Sequence, residues 1–230
     1  FDVSAIDDPD AGQRVGELLA SETEEAVYGA LDLPWIAPEM REDRGEIAAA
    51  QAGELPDLLE RDDIRGDLHT HTDWSDGENT VEEMIAGAAE FGHDYLCISD
   101  HAAGPGVFGD AGLTDDEVLE QIDGIRAAAA DADIEVFAGI EANVDGDGNV
   151  GDLDDETLDE LDLVVASPHS DLGGDVDQTD RLVTAIEHPS VDVLGHPSGR
   201  LINQRPAMEF DPARLGAAAA ANDVALEVNS

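Results

Sequence analysis

Asp67-Leu68-His69-Thr70-His71-Thr72, followed closely by Ser75-Asp76-Gly77, is the stretch on which the reading of this chain turns. Its first residues predict a short strand over Asp67 to Thr70. Side chains two apart on an extended strand point to one face. His69 and His71 therefore share a side, and a single metal ion can take both. Ser75-Asp76-Gly77 has the composition of a turn that folds a carboxylate back toward the same rim.

Outward from this stretch, strand and helix patterns alternate from Ile64 onward. The further expected strands are Tyr95 to Ser99, Ile134 to Glu141, Leu163 to Ser167, Val191 to Gly195 and Ala225 to Val228. The expected helices are Val81 to Phe91, Asp115 to Ala130, Asp154 to Leu161, Asp177 to Glu187 and Pro212 to Ala221. Thr80 and Thr114 precede acidic first turns and are expected N-caps. Such alternation predicts an α/β fold with a largely parallel sheet, open or closed as a barrel. The sequence stops on the sixth strand, so a barrel is expected to be unclosed.

The expected strand ends carry the chemistry. His69 and His71 follow the first strand, His101 the second, His169 the fourth and His196 the fifth, while Glu141 ends the third. In α/β sheets and barrels this rim is where catalytic groups gather. Five imidazoles and a glutamate converging there predict a metal cluster rather than ordinary polar capping of the rim. Asp100, next to His101, is expected just behind the ligands, orienting an imidazole through its free ring nitrogen. Imidazole with carboxylate suits zinc, manganese or iron better than calcium or magnesium. His93 and His188 lie at helix ends, where an imidazolium complements the helix dipole.

Two or three ions a few ångströms apart can bind phosphate oxygens, acidify a water and stabilise the leaving oxygen. The reaction class this implies is hydrolysis of phosphate esters without a covalent protein nucleophile. Arg200, after Gly195-His196-Pro197-Ser198-Gly199, is placed to grip a substrate phosphate; a surface ion pair is its alternative role. Asp145-Gly146-Asp147-Gly148-Asn149, with Glu156 further on, mimics a calcium loop. Val150 occupies the sharp-turn glycine position, so a hairpin or loop is expected instead. Gly104-Pro105-Gly106, with Gly109 and Gly112, is expected to be a flexible segment over the site.

Composition sets the surroundings. The chain has 230 residues, 42% of them hydrophobic, and 56 acidic residues against 10 basic, a net charge of -46. All the basic residues are arginine. The acids are interleaved with apolar residues, which argues against a disordered acidic chain. A folded protein of a cytoplasm with molar salt, as in a halophile, is expected, because the Debye length there is only about 3 Å. In such salt the acidity does not exclude a polyanionic substrate. No apolar run reaches bilayer-crossing length and no basic-then-apolar leader opens the sequence, so no membrane partner is expected. The single cysteine, Cys97, lies in an apolar run and is expected to be a buried core thiol.

Residues 1 to 64 read differently. A helix is expected near Ala11 to Leu19, then a capping-box start at Ser21 with Glu24, leading into Glu25 to Leu31. Pro34 and Pro38 flank Trp35 and Ile36, and an acidic stretch from Glu39 to Glu60 bridges onward. Apolar residues are too few for an independent core, and the sequence opens at Phe1 without a methionine. This part is expected to be the tail of an upstream domain.

His69-Thr70-His71-Thr72 with Ser75-Asp76-Gly77, then Ser99-Asp100-His101, Gly139-Ile140-Glu141, Ser167-Pro168-His169 and Gly195-His196-Pro197, resemble in order the motifs of the polymerase and histidinol phosphatase (PHP) superfamily. Within it, the likeness is to the C-terminal PHP domain of bacterial and archaeal family X DNA polymerases. Ser21-Glu22-Thr23-Glu24-Glu25, Leu33-Pro34-Trp35-Ile36-Ala37-Pro38-Glu39 and Arg44-Gly45-Glu46 resemble the end of a polymerase thumb and its linker. Gly195 to Leu201 resembles that group's fifth motif.

The resemblance implies a distorted (β/α)7 barrel, incomplete at the C-terminus, with a short, mainly helical N-terminal extension. It divides the chain into a thumb-like end (1–46), a linker (47–64) and a PHP domain (65–230). It also implies up to three divalent ions, Mn2+ or Zn2+. His69, His71 and Glu141 would hold one; Glu141, bridging, would join His169 and His196 on the second; Asp76 and His101 would hold the third. The group's last motif, an aspartate and a histidine two apart, is expected beyond Ser230, and the first and third ions would each lack a ligand without it. His101 is followed by Ala102-Ala103, where the group has a more polar pair.

The function so implied is manganese-dependent 3′–5′ exonuclease and 3′-end processing in DNA repair, with DNA 3′ ends and an upstream polymerase domain as partners. A small-molecule phosphatase of the histidinol phosphate type and a non-catalytic metal-bound module of the polymerase are the alternatives. The palm carboxylates of nucleotide addition are absent from this sequence.

Overall fold

The structure, a computed structural model, describes residues 20–104, 112–151, 153–172, 176–201 and 203–228. The expected helix near Ala11 to Leu19 and most of the glycine-rich segment after Gly104 lie outside them. The chain forms two compact units, Phe1–Glu60 and Arg61–Ser230.

In the first unit, α1 spans Glu24–Ala30. Its cap is Thr23, not Ser21: the Thr23 hydroxyl accepts from the Ala26 N–H at 3.2 Å. The expected capping box fails because its acid is engaged elsewhere. The Glu24 carboxylate accepts from Arg41 Nη2 at 2.6 Å and from Trp35 Nε1 at 3.2 Å. Those bonds, Arg41's first, hold Glu24 down to about 2. A second helix, α2 (Glu46–Ala52), lies within the acidic stretch. Its first-turn Glu46 accepts from the N–H groups of Asp43 and Arg44.

The second unit is built on one sheet. Its strands are β1 (Gly66–Thr70), β2 (Tyr95–Ile98), β3 (Glu135–Val144), β4 (Val150–Gly151), β5 (Leu163–Pro168), β6 (Val193–Leu194) and β7 (Ala225–Leu226). Six run parallel in the order β1-β2-β3-β5-β6-β7, and β4 pairs antiparallel with β3. Helices α3 (Val81–Phe91), α4 (Asp115–Ala129), α5 (Asp155–Leu158), α6 (Thr179–Ile186) and α7 (Pro212–Asn222) connect them. The apolar faces of these helices and the strands form one buried cluster, including Ile85, Ile122, Ile140, Leu182, Leu194 and Leu215.

Local chemistry sets the helix boundaries. Glu83 Oε2 accepts from the Thr80 N–H at 3.1 Å, and Thr80 Oγ1 accepts from the Glu83 N–H at 3.3 Å, closing a capping box on α3. Glu117 accepts from both the N–H and the hydroxyl of Thr114 ahead of α4. α6 starts later than expected because the Asp177 carboxylate accepts from the Thr179 N–H and hydroxyl, making an entry turn instead of a helical one.

The sheet is strongly curled into an incomplete α/β barrel. Six strands laid flat would separate the outer two by about 24 Å. Yet His69 Nδ1 on β1 lies 3.4 Å from the Glu227 carboxylate just past β7. The rim at the strands' C-terminal ends therefore bends round on itself.

One strand departs from expectation in a way that matters. β3 does not end at Glu141 but continues to Val144. Asn143 and Val144 pair with Ser167 and Pro168 of β5 on one side and with Gly151 and Val150 of β4 on the other. The calcium-loop look-alike is the turn of that β3–β4 hairpin. Asp145 Oδ1 accepts from the N–H groups of Asp147 and Asn149, so this carboxylate serves its own turn.

Cys97 is fully buried on β2, and burial pushes its thiol up to about 12. Among the described residues no helix is long and apolar enough to cross a membrane. Gly139 sits where β3 comes closest to its neighbours. A Cβ there would meet Cys97 Sγ at 2.5 Å and the Leu163 carbonyl at 2.8 Å. Gly139→Ala is expected to lower unfolding free energy by about 1–3 kcal/mol through overpacking. Denaturant titration of the two proteins checks this.

Candidate metal centre

The curl gathers side chains from the ends of four strands around one carboxylate on a fifth. Glu141, in the middle of β3, has a side chain only 1% exposed. Its Oε1 lies 2.9 Å from His196 Nε2, 3.1 Å from His169 Nε2 and 3.2 Å from His69 Nε2. Its Oε2 lies 2.7 Å from His101 Nδ1 and 3.7 Å from His71 Nε2. The five imidazoles form a closed ring, with successive centroids 4.4–5.8 Å apart in the order His69, His71, His101, His169, His196.

Asp76 joins this ring from the side, with Oδ1 3.6 Å from both His71 Nδ1 and His101 Nε2. The turn that carries it is tight: the Gly77 N–H donates to the Thr72 carbonyl at 2.9 Å. A Cβ on Gly77 would lie 2.5 Å from the His71 carbonyl. All seven predicted ligands thus meet at one place.

Asp100 does something other than orient an imidazole. Fully buried, its carboxylate accepts from the Thr72 N–H and hydroxyl, each at 2.7 Å, from Ser75 Oγ at 2.5 Å and from Gln121 Nε2 at 2.6 Å. It therefore ties down the turn that presents Asp76. Its neighbour in sequence, His101, is the one that reaches the cluster, because successive residues at a strand end face opposite ways.

Three residues at the site were not read from the sequence. Glu227 accepts from the His196 N–H at 2.5 Å and touches His69. His196 holds a left-handed backbone, φ +23°, at that contact. A lone acid in the apolar run Val224 to Val228, reaching the same rim as Glu141, was the available signal. Asn143 Oδ1 lies 2.7 Å from His169 Nδ1, which leaves Nε2 facing Glu141. Arg205 lines the cleft beside Arg200, and nothing in its sequence setting marks it.

That cleft, about 510 Å³, opens over the imidazole ring. Among the described residues neither Arg200 nor Arg205 pairs with a carboxylate. Arg205 is anchored instead by Nε donating to the Gly199 carbonyl at 2.6 Å.

The donor set fits divalent ions. Ligand atoms about 2.1 Å from a tetrahedral ion stand about 3.4 Å apart. The separations of 3.2 Å for His69–Glu141, 3.7 Å for His71–Glu141 and 3.6 Å for Asp76 with His71 and His101 match that spacing, while His101 lies closer to Glu141, at 2.7 Å. His71 Nδ1 is buried and has no hydrogen-bond partner among the described residues, which suits a nitrogen that binds an ion. Three overlapping groups have ligand atoms within 4.8 Å of one another: His69, His71 and Glu141; His71, Asp76 and His101; His101, Glu141 and His169.

Burial and neighbouring charges shift the titratable groups of the cluster. At His69 burial opposes protonation, but bonds to Glu141 and Glu227 outweigh it and raise the imidazole to about 10. Burial, then the neighbouring His101, lowers His71. Burial alone would raise Glu141, yet hydrogen bonds with His101, His169, His196 and His69 carry it far below the usual carboxylate range.

A curled parallel α/β sheet with a histidine–carboxylate cluster on its C-terminal rim defines a metal-dependent phosphoesterase domain. The chain belongs to the PHP domain family, whose model matches residues 67–230; the model of the DNA polymerase beta thumb matches residues 7–42. The DNA polymerase/3′-5′ exonuclease PolX of Bacillus subtilis is 35% identical over 219 residues, covering 94% of this chain and 38% of that protein. A probable phosphatase of Caldicellulosiruptor saccharolyticus is 34% identical over 173 residues, 71% of this chain and 65% of that one. The chain thus spans less than two thirds of either relative. A histidinol phosphate phosphatase of Lactococcus lactis, solved with zinc, L-histidinol and phosphate, superposes with a TM-score of 0.48 and 16% identity, covering 72% of this chain and 73% of that one.

Against burial, Glu141 and Glu227 raise the His69 imidazole to about 10, so an ion held by its ring would displace a proton. Affinity is therefore expected to fall as pH falls, with net proton release on binding. Calorimetric titration with Zn2+ in buffers of differing ionisation enthalpy measures the release; no proton release would contradict the assignment.

Proposed function

We propose that this chain hydrolyses phosphodiesters at DNA 3′ ends, as a 3′–5′ exonuclease domain attached to a family X-type polymerase and acting in DNA repair. The observation that carries this reading is the ring of five imidazoles around Glu141 in a chain whose residues 7–42 match a polymerase thumb. The similarity to PolX across both parts supports the same choice.

His69, His71 and Glu141 would hold one ion, Glu141 with His169 and His196 a second, and Asp76 with His101 a third. Bound there, Mn2+ or Zn2+ supplies an acidified water and takes up charge on the phosphate oxygens. The protein's own groups do the rest. Asp100 fixes the turn bearing Asp76, Asn143 fixes His169, and Glu227 fixes His196. Arg200 and Arg205, without carboxylate partners among the described residues, orient the substrate phosphate from the cleft wall. With a net charge of -46, productive contact with DNA requires strong screening, so the working medium is a cytoplasm at molar salt.

A small-molecule phosphatase is the second reading, favoured by the 34% identity to the probable phosphatase over 71% of this chain.

The protein, loaded with Mn2+ in molar KCl, is given end-labelled DNA and, separately, histidinol phosphate. The proposal expects progressive shortening of the DNA, lowered about 100-fold or more by His169→Ala. Phosphate release from histidinol phosphate with intact DNA would favour the second reading, and inertness on both with metal bound would leave a non-catalytic module.

A further inference from the structure

Arg181 stands outside the cluster, on α6, and is 5% exposed. It makes no ion pair with a carboxylate among the described residues, although the chain carries 56 acids. Burial holds its pKa below the usual arginine value against the longer-range charges of Asp171 and Asp145. A buried cation without a counter-ion is costly and persists only where its donors are well used.

Here they are spent on backbone carbonyls. Nε donates to Asp145 O at 2.6 Å, Nη2 to Val144 O at 2.7 Å and Nη1 to Ser170 O at 3.0 Å; Nη1 also reaches Gln178 Oε1 at 3.3 Å. These carbonyls belong to two segments that meet at the site. Val144 and Asp145 follow Asn143 at the end of β3, and Ser170 follows His169 past the end of β5. The last ladder pair between the strands is Val144 with Pro168, and proline has no N–H to offer. Beyond it the guanidinium supplies the cross-link that the ladder cannot. The hairpin turn is seated on the same point of α6: a Cβ on Gly148 would lie 2.3 Å from the Arg181 carbonyl.

We propose that Arg181 is a positioning residue for His169, clamping the ends of β3 and β5 so that Asn143 holds the His169 ring with Nε2 directed to the metal centre. This rests on the reading of His169 as a metal ligand. Lysine at this position keeps the charge but cannot serve three carbonyls with a planar fork.

The test compares the parent chain with Arg181→Lys, Asn143→Ala and the double variant, using Zn2+ alone as the probe. In the parent, nitrogen-15 imidazole spectra are expected to show a hydrogen-bonded proton on His169 Nδ1, the nitrogen 2.7 Å from Asn143 Oδ1. Arg181→Lys should unfold cooperatively, lose that hydrogen-bonded Nδ1 signal and bind Zn2+ about 10- to 100-fold more weakly. The double variant should be little worse than either single one, because both act through one ring. An unchanged His169 Nδ1 signal with affinity within about twofold of the parent, or fully additive losses, overturns the proposal.

Should Arg181→Lys not fold, the parent alone decides. Linkage requires that Zn2+ binding slow hydrogen exchange at the Arg181 Nε–H if the clamp favours the ion, and unchanged exchange while the histidine signals shift overturns it. A parent that binds no Zn2+ sinks the ligand reading, whereas the His169 Nδ1 comparison still decides whether Arg181 positions the ring.

Discussion

The arrangement depends on a single buried carboxylate facing five imidazoles. Glu141 is held in the middle of β3, with hydrogen-bonded strands on both sides, and its oxygens lie 2.7–3.7 Å from five ring nitrogens. A buried carboxylate is tolerated only with matching positive charge or well-directed donors. The same requirement that keeps the imidazoles turned inward therefore makes the site attractive to divalent cations. Protons satisfy it at His69 in the absence of metal, which links metal loading to pH.

What surrounds Glu141 serves to keep the imidazoles there. The curl of the sheet brings β1 and β7 together across the rim, closed by Glu227 between His69 and His196. Asp100 anchors the Asp76 turn through Thr72 and Ser75. On the opposite side Asn143 holds His169, with the Arg181 fork binding the backbone on each side of it. These supports come from separate elements, so no single one sets the geometry. Rigid support of this kind is what separates a usable metal site from a loose collection of donors.

Much of this was legible in the sequence, and the exceptions have physical causes. The α3 boundaries follow from Thr80, Glu83 and Gly92, all local signals, and the parallel order follows from simple strand–helix alternation. His101, Glu141, His169 and His196 were legible because each closely follows an apolar run, His69 and His71 through their two-residue spacing, and Asp76 through its Ser-Asp-Gly turn. Ser21 misled because Glu24, its supposed capping partner, is taken by Arg41, seventeen residues away. Glu141 was expected at a strand end because pairing of Asn143 and Val144 with both β4 and β5 has no local signature. Asp100 acts through Thr72, Ser75 and Gln121 and Arg181 through the Val144 and Asp145 carbonyls, all distant in sequence, and only the folded chain brings those within reach.

The central claim is that Glu141 and the histidines around it bind a cluster of divalent ions. Anomalous diffraction from crystals of the protein grown with Zn2+ tests this most directly. The account predicts a group of anomalous peaks within about 2.3 Å of the Glu141 carboxylate and the facing imidazole nitrogens. A map with no peak there, or with zinc bound only on the acidic surface, would contradict it.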